Sequence, residues 1–350
     1  MESWNHIDSV CYNSQLAPAR DLWEIFVNFP RLTATLPAQI IWAVKRIYDL
    51  VMTHKLDSDD FFIHSIQRHC AEAGLNFFLI EPHWVEAFHI YLQLGEIWPR
   101  VLLNMHSEHH QPEEIYHRLV RLAAEKHCQV IDPPEVAQAV FNKARLHPQL
   151  VKAAVNVPAT LIVAREQAAE FRLAEADAIT LGSPFVIKPA MGYGRGGLVM
   201  DATNEKDLVR SITSWPDTHY LLQRRIVPRQ IKGAPAYFRV YFVFGSVWCA
   251  WWNCYTDNYR LVTPQEATDL HLKPLEEMIR QIATLTGMNF FSSEMAQTES
   301  GEFVLIDYVN DQCHMLSQSA NPRIGVPDEL VAAIARRLIE ATKELIAKNH

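Results

Sequence analysis

A lysine-bearing apolar strand that runs through a glycine-rich loop into a second strand constrains this chain more than any other segment. Phe185–Pro189 is apolar apart from Lys188, glycines stand at positions 192, 194, 196 and 197, and residues 198–200 fit a return strand. Glycine permits positive φ and close backbone approach, so successive N–H groups can converge on one anion. The segment therefore predicts a flexible flap over phosphate groups, with Lys188 supplying a positive charge. An ordinary hairpin loop is the alternative.

The strands on both sides of the loop exclude three common glycine-loop families. A Walker A loop and a dinucleotide fingerprint both run from a strand into a helix. Protein kinases place their lysine on the strand after the glycine loop, whereas Lys188 precedes it.

Further strands follow in an order that suits a metal–nucleotide site. Residues 221–226 form an apolar strand with a polar end, and residues 237–243 form a strand with one arginine, Arg239. Residues 290–296 and 302–310 read as a hairpin with an acid on each arm. Carboxylate and amide oxygens are ligands that Mg²⁺ prefers. The candidate ligands on this hairpin are Glu294, Asp307 and Asn310.

In this order of lysine, glycine loop and acidic hairpin, the chain resembles the ATP-grasp superfamily, whose carboxylate-amine ligases include D-alanine ligase, glutathione synthetase and ribosomal-protein glutamate ligases. The resemblance covers roughly residues 60 to 345. It implies an α/β (α+β) fold in which a parallel-sheet pre-ATP-grasp domain precedes two lobes that enclose ATP.

The resemblance also implies roles for individual residues, with ATP and Mg²⁺ as cofactors and Mn²⁺ as an alternative metal. The phosphate-binding lysines would be Lys143 and Lys188, and the catalytic residues Lys188 and Arg239. The mobile loop would contribute Gly192, Tyr193, Gly194 and Gly196, and the adenine linker Gln223, Arg224, Arg225 and Ile226. The metal ligands would be Glu294, Asp307 and Asn310.

Two departures from the family pattern leave questions open. The family usually has Glu-x-Asn, whereas here two residues separate Asp307 from Asn310. Because a strand alternates faces, Asn310 shares a face with Asp307 only if the strand ends or bulges by Val309, and Asp311 is therefore a rival ligand. The usual acidic hinge residue is also absent, since Arg224 and Arg225 follow Gln223.

The implied reaction is transfer of the γ-phosphoryl group of ATP to a carboxylate, followed by attack of an amine on the acylphosphate and release of ADP and phosphate. The substrates would be small-molecule or peptide carboxylates and amines. Two alternatives stay open: a kinase of the same fold that phosphorylates a small polyol or hydroxyl substrate, and a nucleotide-binding module without turnover. The resemblance is also compatible with a homodimer.

The pattern of apolar residues divides the chain into four parts. From residue 58, helices and strands alternate, which predicts a parallel sheet. An apparent helix over residues 38–52 precedes it, and a final helix spans Asp328–Lys348. The predicted parts are a helical extension (1–57), an α/β pre-ATP-grasp domain (58–132), a small lobe with the glycine-rich loop (133–218) and a large lobe with the metal site (219–350).

Composition narrows the class of protein. The net charge of -8 argues against a nucleic-acid partner that needs a globally basic surface, and 49% hydrophobic residues suffice for several cores. The six cysteines show no paired CxxC spacing, which suggests reduced thiols. With no signal-like start and no apolar run of about 18 residues, we expect a cytoplasmic protein without stable membrane insertion.

Several other residues are weaker candidates. Substrate contacts are considered at Glu81, Asn104, His106, Arg323 and in the polar segment 255–260. Residues 106–110 contain three histidines and a glutamate, but no distant ligand pair with zinc-site spacing accompanies them. Trp248, Trp251 and Trp252 fit core positions better than a stacking platform.

Overall fold

The first described part of the chain, from residue 45 to residue 131, contains a parallel sheet covered by helices. A computed structural model describes residues 45–54, 59–106, 109 and 111–348. The strand order is β2-β1-β3-β4, and every pair is parallel, as the alternating pattern predicts. The strands are β1 (Arg46–Thr53), β2 (Phe77–Ile80), β3 (Ile97–Asn104) and β4 (Gln129–Ile131), and the helices are α1 (Asp60–Glu72), α2 (Val85–Leu94) and α3 (Ile115–Glu125).

The sequence-based helix over residues 38–52 is wrong where the structure describes it. Residues 46–53 form the strand β1, which pairs with β2 on one side and β3 on the other. Leu50, Val51 and Met52 are fully buried, because a central parallel strand is covered on both faces. Such a continuous apolar run cannot be told from a buried helix by periodicity alone. The part of the prediction before residue 45 lies outside the described residues.

A small antiparallel sheet follows two helices and carries the glycine-rich loop between two of its strands. Its order is β5-β8-β6-β7. Because β8 is an interior strand here, the small sheet extends beyond the predicted boundary at residue 218. The elements are α4 (Pro134–Phe141), α5 (Lys143–Lys152), β5 (Thr160–Ala164), α6 (Glu175–Leu181), β6 (Phe185–Pro189), β7 (Val199–Ala202), α7 (Leu208–Ser214) and β8 (His219–Arg224).

The sequence also predicts a helix over residues 166–179, and the helix in the structure is shorter. Only Glu175–Leu181 is α-helical, after a single 3₁₀ turn at Arg165–Gln167. Phe171 and Leu173, two residues apart, both pack on the core of the small sheet. That spacing places both side chains on one side of an extended chain, so tertiary packing overrides the helical pattern.

A larger antiparallel sheet holds the acidic hairpin. Its order is β13-β12-β11-β14-β15. Helix α9 packs on one face, and helix α10 packs in the core that this sheet shares with the parallel sheet. The elements are the short hairpin β9 (Gln230–Ile231) and β10 (Ala234–Pro235), then β11 (Tyr237–Val243), β12 (Ser246–Trp252), β13 (Tyr259–Leu261), α8 (Pro264–Asp269), α9 (Lys273–Thr286), β14 (Phe290–Gln297), β15 (Phe303–Asn310) and α10 (Asp328–Lys348).

The mixed α/β architecture predicted from sequence is confirmed. Parallel and antiparallel sheets occur in one chain, with helices packed on their faces. In the described ranges, no helix has the length and apolar character required to cross a bilayer.

Candidate active site

A cleft of about 740 Å³ lies between the small sheet and the larger antiparallel sheet. Its volume falls in the range typical of sites for small molecules and cofactors. The cleft brings together every residue proposed above from the resemblance: Lys143, Lys188, Gly192, Tyr193, Gly194, Gly196, Gln223, Arg224, Arg225, Ile226, Arg239, Glu294, Asp307 and Asn310.

An arginine and two acids stand side by side on three neighbouring strands. Arg239 on β11 pairs in register with Glu294 on β14, which pairs with Asp307 on β15. The Arg239 guanidinium donates to the Glu294 carboxylate, and the Tyr237 hydroxyl donates to the same carboxylate at 3.1 Å. Residues directly opposite in an antiparallel sheet share a face. These side chains therefore form one row along a wall of the cleft.

The extra residue between Asp307 and Asn310 is absorbed by a bulge. Glu294 pairs with Asp307 and Ser292 pairs with Asn310, so three steps along β15 match two along β14. A bulge of this kind returns Asn310 to the face of Asp307, and both line the cleft. The rival residue Asp311 instead places its Oδ2 atom 2.5 Å from His109 Nε2.

The resulting donor set fits a hard divalent cation. Two carboxylates and one amide oxygen line one wall of the cleft, and Mg²⁺ prefers such oxygen ligands while keeping several waters. No cluster of three or more His, Cys, Asp or Glu suited to a metal occurs among the described residues. The proposed third ligand is accordingly an amide. The zinc alternative at residues 106–110 falls partly outside the described residues.

Both predicted lysines are partly buried beside the acids and are bound to main-chain oxygens. Lys143 Nζ donates to Gly192 O at 2.8 Å and lies 3.9 Å from Asp307 Oδ1. Lys188 Nζ donates to Ile306 O at 2.8 Å. Because phosphate oxygens are stronger acceptors than peptide carbonyls, both ammonium groups are placed to exchange these partners for an anion.

The charges in the cleft shift one another's pKa values. Burial lowers the pKa of the Lys188 ammonium, against the opposing effect of Asp307. Burial raises the pKa of the Glu294 carboxyl, while Arg239 acts to lower it. Burial also acts to raise the pKa of Asp307, but Lys143, Lys188 and Arg239 hold it below its usual value. Three cations thus face two acids, an excess of positive charge that suits an anionic ligand.

The glycine-rich loop is packed tightly at its base. A Cβ atom on Gly196 would lie 2.5 Å from the Trp215 ring, and one on Gly197 would lie 2.6 Å from both Pro189 and Trp215. The Ser211 hydroxyl donates to Gly197 O at 2.6 Å. Glycine is therefore required at positions 196 and 197 for close packing.

The tip of the loop reaches across the cleft. Arg195, which sequence reasoning did not single out, donates to Asp257 Oδ1 at 2.5 Å and to Cys254 O at 3.2 Å. Both partners lie in the segment after β12, whose Tyr255 also lines the cleft. A charged residue among the glycines was the only sequence signal for this contact. The loop thereby bridges the two walls of the cleft.

Two side chains of the predicted adenine linker are committed to protein partners. Gln223 Nε2 donates to the Tyr308 hydroxyl at 2.9 Å and to Thr160 Oγ1 at 3.1 Å. Arg224 Nε donates to Thr180 O near the end of α6, at 2.7 Å. The main chain of Gln223 and Arg224 is also paired within the small sheet, so hydrogen bonds to a base would come mainly from Arg225 and from the main chain of residues 225–226.

Most of the weaker sequence candidates lie elsewhere, but Trp252 and part of the polar segment 255–260 line the cleft. Glu81 lies 3.4 Å from His83, Asn104 accepts from Thr53 Oγ1 at 3.2 Å, and Arg323 is exposed in a turn. Trp251 packs against Phe238 in the core. Trp252 lines the cleft with its ring 5.2 Å from the Arg239 guanidinium, and Tyr255 and Asp257 of the polar segment line it as well.

The fold is similar to those of several solved enzymes. It matches the ATP-grasp ligase PsnB complexed with minimal precursor, Mg and ADP at 13% identity and TM-score 0.55, over 85% of this chain and 98% of that chain. It matches the RimK domain protein ATP-grasp from Sphaerobacter thermophilus at 18% identity and TM-score 0.56, over 84% and 98%. It also matches D-alanine–D-alanine ligase from Bacillus anthracis complexed with ATP at 12% identity and TM-score 0.55, over 87% and 100%. No family model and no curated protein matches the chain.

Proposed function

The chain has the ATP-grasp fold, and from this premise we propose that it is an ATP-dependent ligase that activates a carboxylate as an acylphosphate for attack by an amine. The observation that carries the proposal is the arrangement of three partly buried cations, two acids and one amide around a cleft that a glycine-rich loop crosses. Phosphoryl transfer depends chiefly on positioning and charge neutralisation, and this arrangement supplies both.

The solved neighbours favour a ligase over a kinase of the same fold. PsnB is an ATP-grasp ligase seen with a precursor peptide, and the Bacillus anthracis protein joins D-alanine to D-alanine. The substrates of this chain would accordingly be a carboxylate and an amine borne by amino acids or peptides.

In the proposed complex, the triphosphate would displace the main-chain acceptors of the two lysines. Lys143 and Lys188 would turn from Gly192 O and Ile306 O to phosphate oxygens. Gly192, Tyr193, Gly194 and Gly196 would lie over the phosphates. The base would contact Arg225 and the main chain of residues 225–226, because the side chains and the main chain of Gln223 and Arg224 are already engaged.

Glu294, Asp307 and Asn310 would hold Mg²⁺, whose charge would offset that of the phosphates. Arg239 lies beside Glu294, where its guanidinium would stabilise charge on the transferring phosphoryl group. The carboxylate oxygen attacks the γ-phosphorus and ADP departs. The amine then attacks the acyl carbon and phosphate departs.

Water must be kept from the acylphosphate, because hydrolysis would compete with the amine. The link from Arg195 to Asp257 and to the Cys254 carbonyl closes the cleft at the loop tip. A closed loop would therefore protect the intermediate and hold the nucleotide until the amine has reacted.

Product analysis tests the reaction class. Purified protein is incubated with ATP, MgCl₂ and pools of amino acids and short peptides, and ADP, free phosphate and product masses are measured. The ligase proposal expects equal amounts of ADP and free phosphate, with a product that has lost one water relative to its two substrates. Phosphate retained on a substrate would indicate a kinase. Nucleotide binding without ADP formation would indicate a module without turnover.

Lys188→Ala and Lys206→Ala form a matched pair for this assay. Lys188 lines the cleft, whereas Lys206 is an exposed lysine of a 3₁₀ turn in the same lobe. The proposal expects product formation to be lost in the first variant and retained in the second.

A further inference from the structure

A buried contact joins the segment after β3 to the end of the acidic hairpin. His109 Nε2 lies 2.5 Å from Asp311 Oδ2, and the two side chains are only 2% and 9% exposed. Asp311 directly follows Asn310, the last residue of β15, while His109 comes from the parallel-sheet part of the chain. The ring nitrogen donates and the carboxylate accepts. The contact therefore fixes where the Asp311 side chain points.

His109 is itself held by several neighbours. Gln138 Nε2 donates to His109 O at 3.4 Å, and Gln312 Nε2 lies 3.4 Å from His109 Nε2. The His109 ring also lies 5.2 Å from that of Phe141, which lines the cleft, and 6.1 Å from that of His117. With partners on α3, α4 and the chain after β15, the imidazole has little freedom to move.

This arrangement decides which of two adjacent residues can reach the metal site. The bulge in β15 turns Asn310 toward the cleft, and the next residue is a carboxylate, which binds a divalent cation more strongly than an amide does. If Asp311 entered the site, three acids would face the three cations Lys143, Lys188 and Arg239. The excess of positive charge that suits a triphosphate would disappear.

We propose that His109 is a positioning residue that holds Asp311 out of the metal site, so that the amide of Asn310 completes it and the site keeps its preference for Mg²⁺ over Ca²⁺. This inference rests on the proposed function, since it concerns the metal that accompanies ATP. Added carboxylates favour Ca²⁺, which accepts more ligands and a less regular geometry than Mg²⁺. Loss of His109 should therefore change the preference between Mg²⁺ and Ca²⁺ as well as the stability of the fold.

Calorimetric titration with a nonhydrolysable ATP analogue, in excess Mg²⁺ or excess Ca²⁺, measures this preference. In His109→Ala we expect the ratio of the two dissociation constants to change by about tenfold in favour of Ca²⁺. The number of charged ligands changes the Ca²⁺ affinity of such sites by orders of magnitude. His109→Gln should keep the wild-type ratio, since its amide nitrogen can reach the position of Nε2. His109→Ala/Asp311→Asn should also return to the wild-type ratio. His83→Ala, at an exposed histidine paired with Glu81, is the matched control and should change nothing.

Two results would overturn the inference. An equal change in His109→Ala and in His109→Ala/Asp311→Asn would mean that His109 acts only on local structure. Loss of Mg²⁺-dependent binding in Asp311→Asn, to the extent seen in Asn310→Ala, would make Asp311 itself the ligand. Failure of the proposed function looks different, because then the wild-type protein would not bind the analogue with either metal.

Discussion

At the scale of single residues, the site depends on cations held next to acids in a poorly solvated cleft. Lys188 is the clearest case, because its strand and the glycine loop that follows were visible in the sequence. The acceptor of the Lys188 ammonium could not be predicted from the sequence. The ammonium donates to Ile306 O, which is 118 residues away along the chain. Pairings of this kind depend on the packing of two sheets and have no local signal.

We predict that Lys188→Ala weakens binding of a nonhydrolysable ATP analogue by about 10- to 100-fold. Hydrogen bonds from a charged donor contribute about 1.5–3 kcal/mol, and the variant loses one to phosphate. Isothermal titration calorimetry in the presence of Mg²⁺ measures the change. Equal affinities in Lys188→Ala and the surface variant Lys206→Ala would contradict the assigned role.

His147 gives a pH dependence of stability with a definite sign. Burial lowers the pKa of its imidazole below 6.5, and Nδ1 lies 2.6 Å from the Tyr308 hydroxyl that Gln223 also contacts. Below about pH 6.5 the unfolded chain takes up a proton at this residue that the folded chain resists, so the free energy of unfolding falls as the pH falls.

His147→Gln removes this titration and should flatten that part of the pH dependence. Urea unfolding of both proteins between pH 5 and 8 measures it. We expect the free energy of unfolding of the wild type to fall relative to that of the variant as the pH falls toward 5. A difference between the two proteins that is constant with pH would mean that His147 does not titrate as inferred.

At the scale of secondary-structure elements, a strand could be predicted where its own residues determine its conformation. The prediction failed where burial by neighbouring strands determines it. The strand Tyr237–Val243 was predicted with its correct ends, because every residue of it except Arg239 is aromatic or β-branched. β1 was misread as a helix because its burial on both faces comes from β2 and β3. The bulge in β15 was one of two open alternatives, and only the pairing with β14 decides between them.

The tight base of the glycine-rich loop yields a steric prediction. In Gly196→Ala the new methyl group would overlap the Trp215 ring, so the loop must shift. Overpacking of this kind costs about 1–3 kcal/mol, and we expect weaker nucleotide binding together with a lower midpoint of unfolding. The double variant Gly196→Ala/Trp215→Leu replaces the indole ring with a smaller side chain and should recover some of both. Wild-type affinity in Gly196→Ala would show that the loop base tolerates displacement.

The link between Arg195 and Asp257 predicts a rescue by charge exchange. The two side chains are 53% and 38% exposed, so the ion pair contributes little to the free energy of unfolding. We expect it to act instead on the rate at which the nucleotide dissociates. Arg195→Glu should increase the dissociation rate of the analogue about two- to fivefold, as expected for loss of an exposed ion pair. Asp257→Arg in the same background should restore it. Stopped-flow measurement with a fluorescent analogue follows the release, and a rate that stays high in the double variant would mean that the ion pair is not what slows it.

At the scale of the whole molecule, the cleft exists because two antiparallel sheets meet around it while the parallel sheet supports one of them. Helix α10, at the end of the chain, shares a core with β1, β3 and the larger antiparallel sheet. The order of motifs along the sequence allowed the fold class to be predicted, since each motif carries its own chemistry. The extents of the sheets were harder to predict, because β8 and β1 belong to sheets whose partners lie far away in sequence.

Calorimetric binding of a nonhydrolysable ATP analogue with and without Mg²⁺ tests the central claim most directly. Wild type, Asp307→Asn and Asp201→Asn would be compared, because Asp307 lines the cleft while Asp201 is exposed on β7. We predict binding that Mg²⁺ strengthens in the wild type and in Asp201→Asn, and no such strengthening in Asp307→Asn. A wild-type protein that fails to bind the analogue, or an Asp307→Asn variant with an unchanged response to Mg²⁺, would contradict the account.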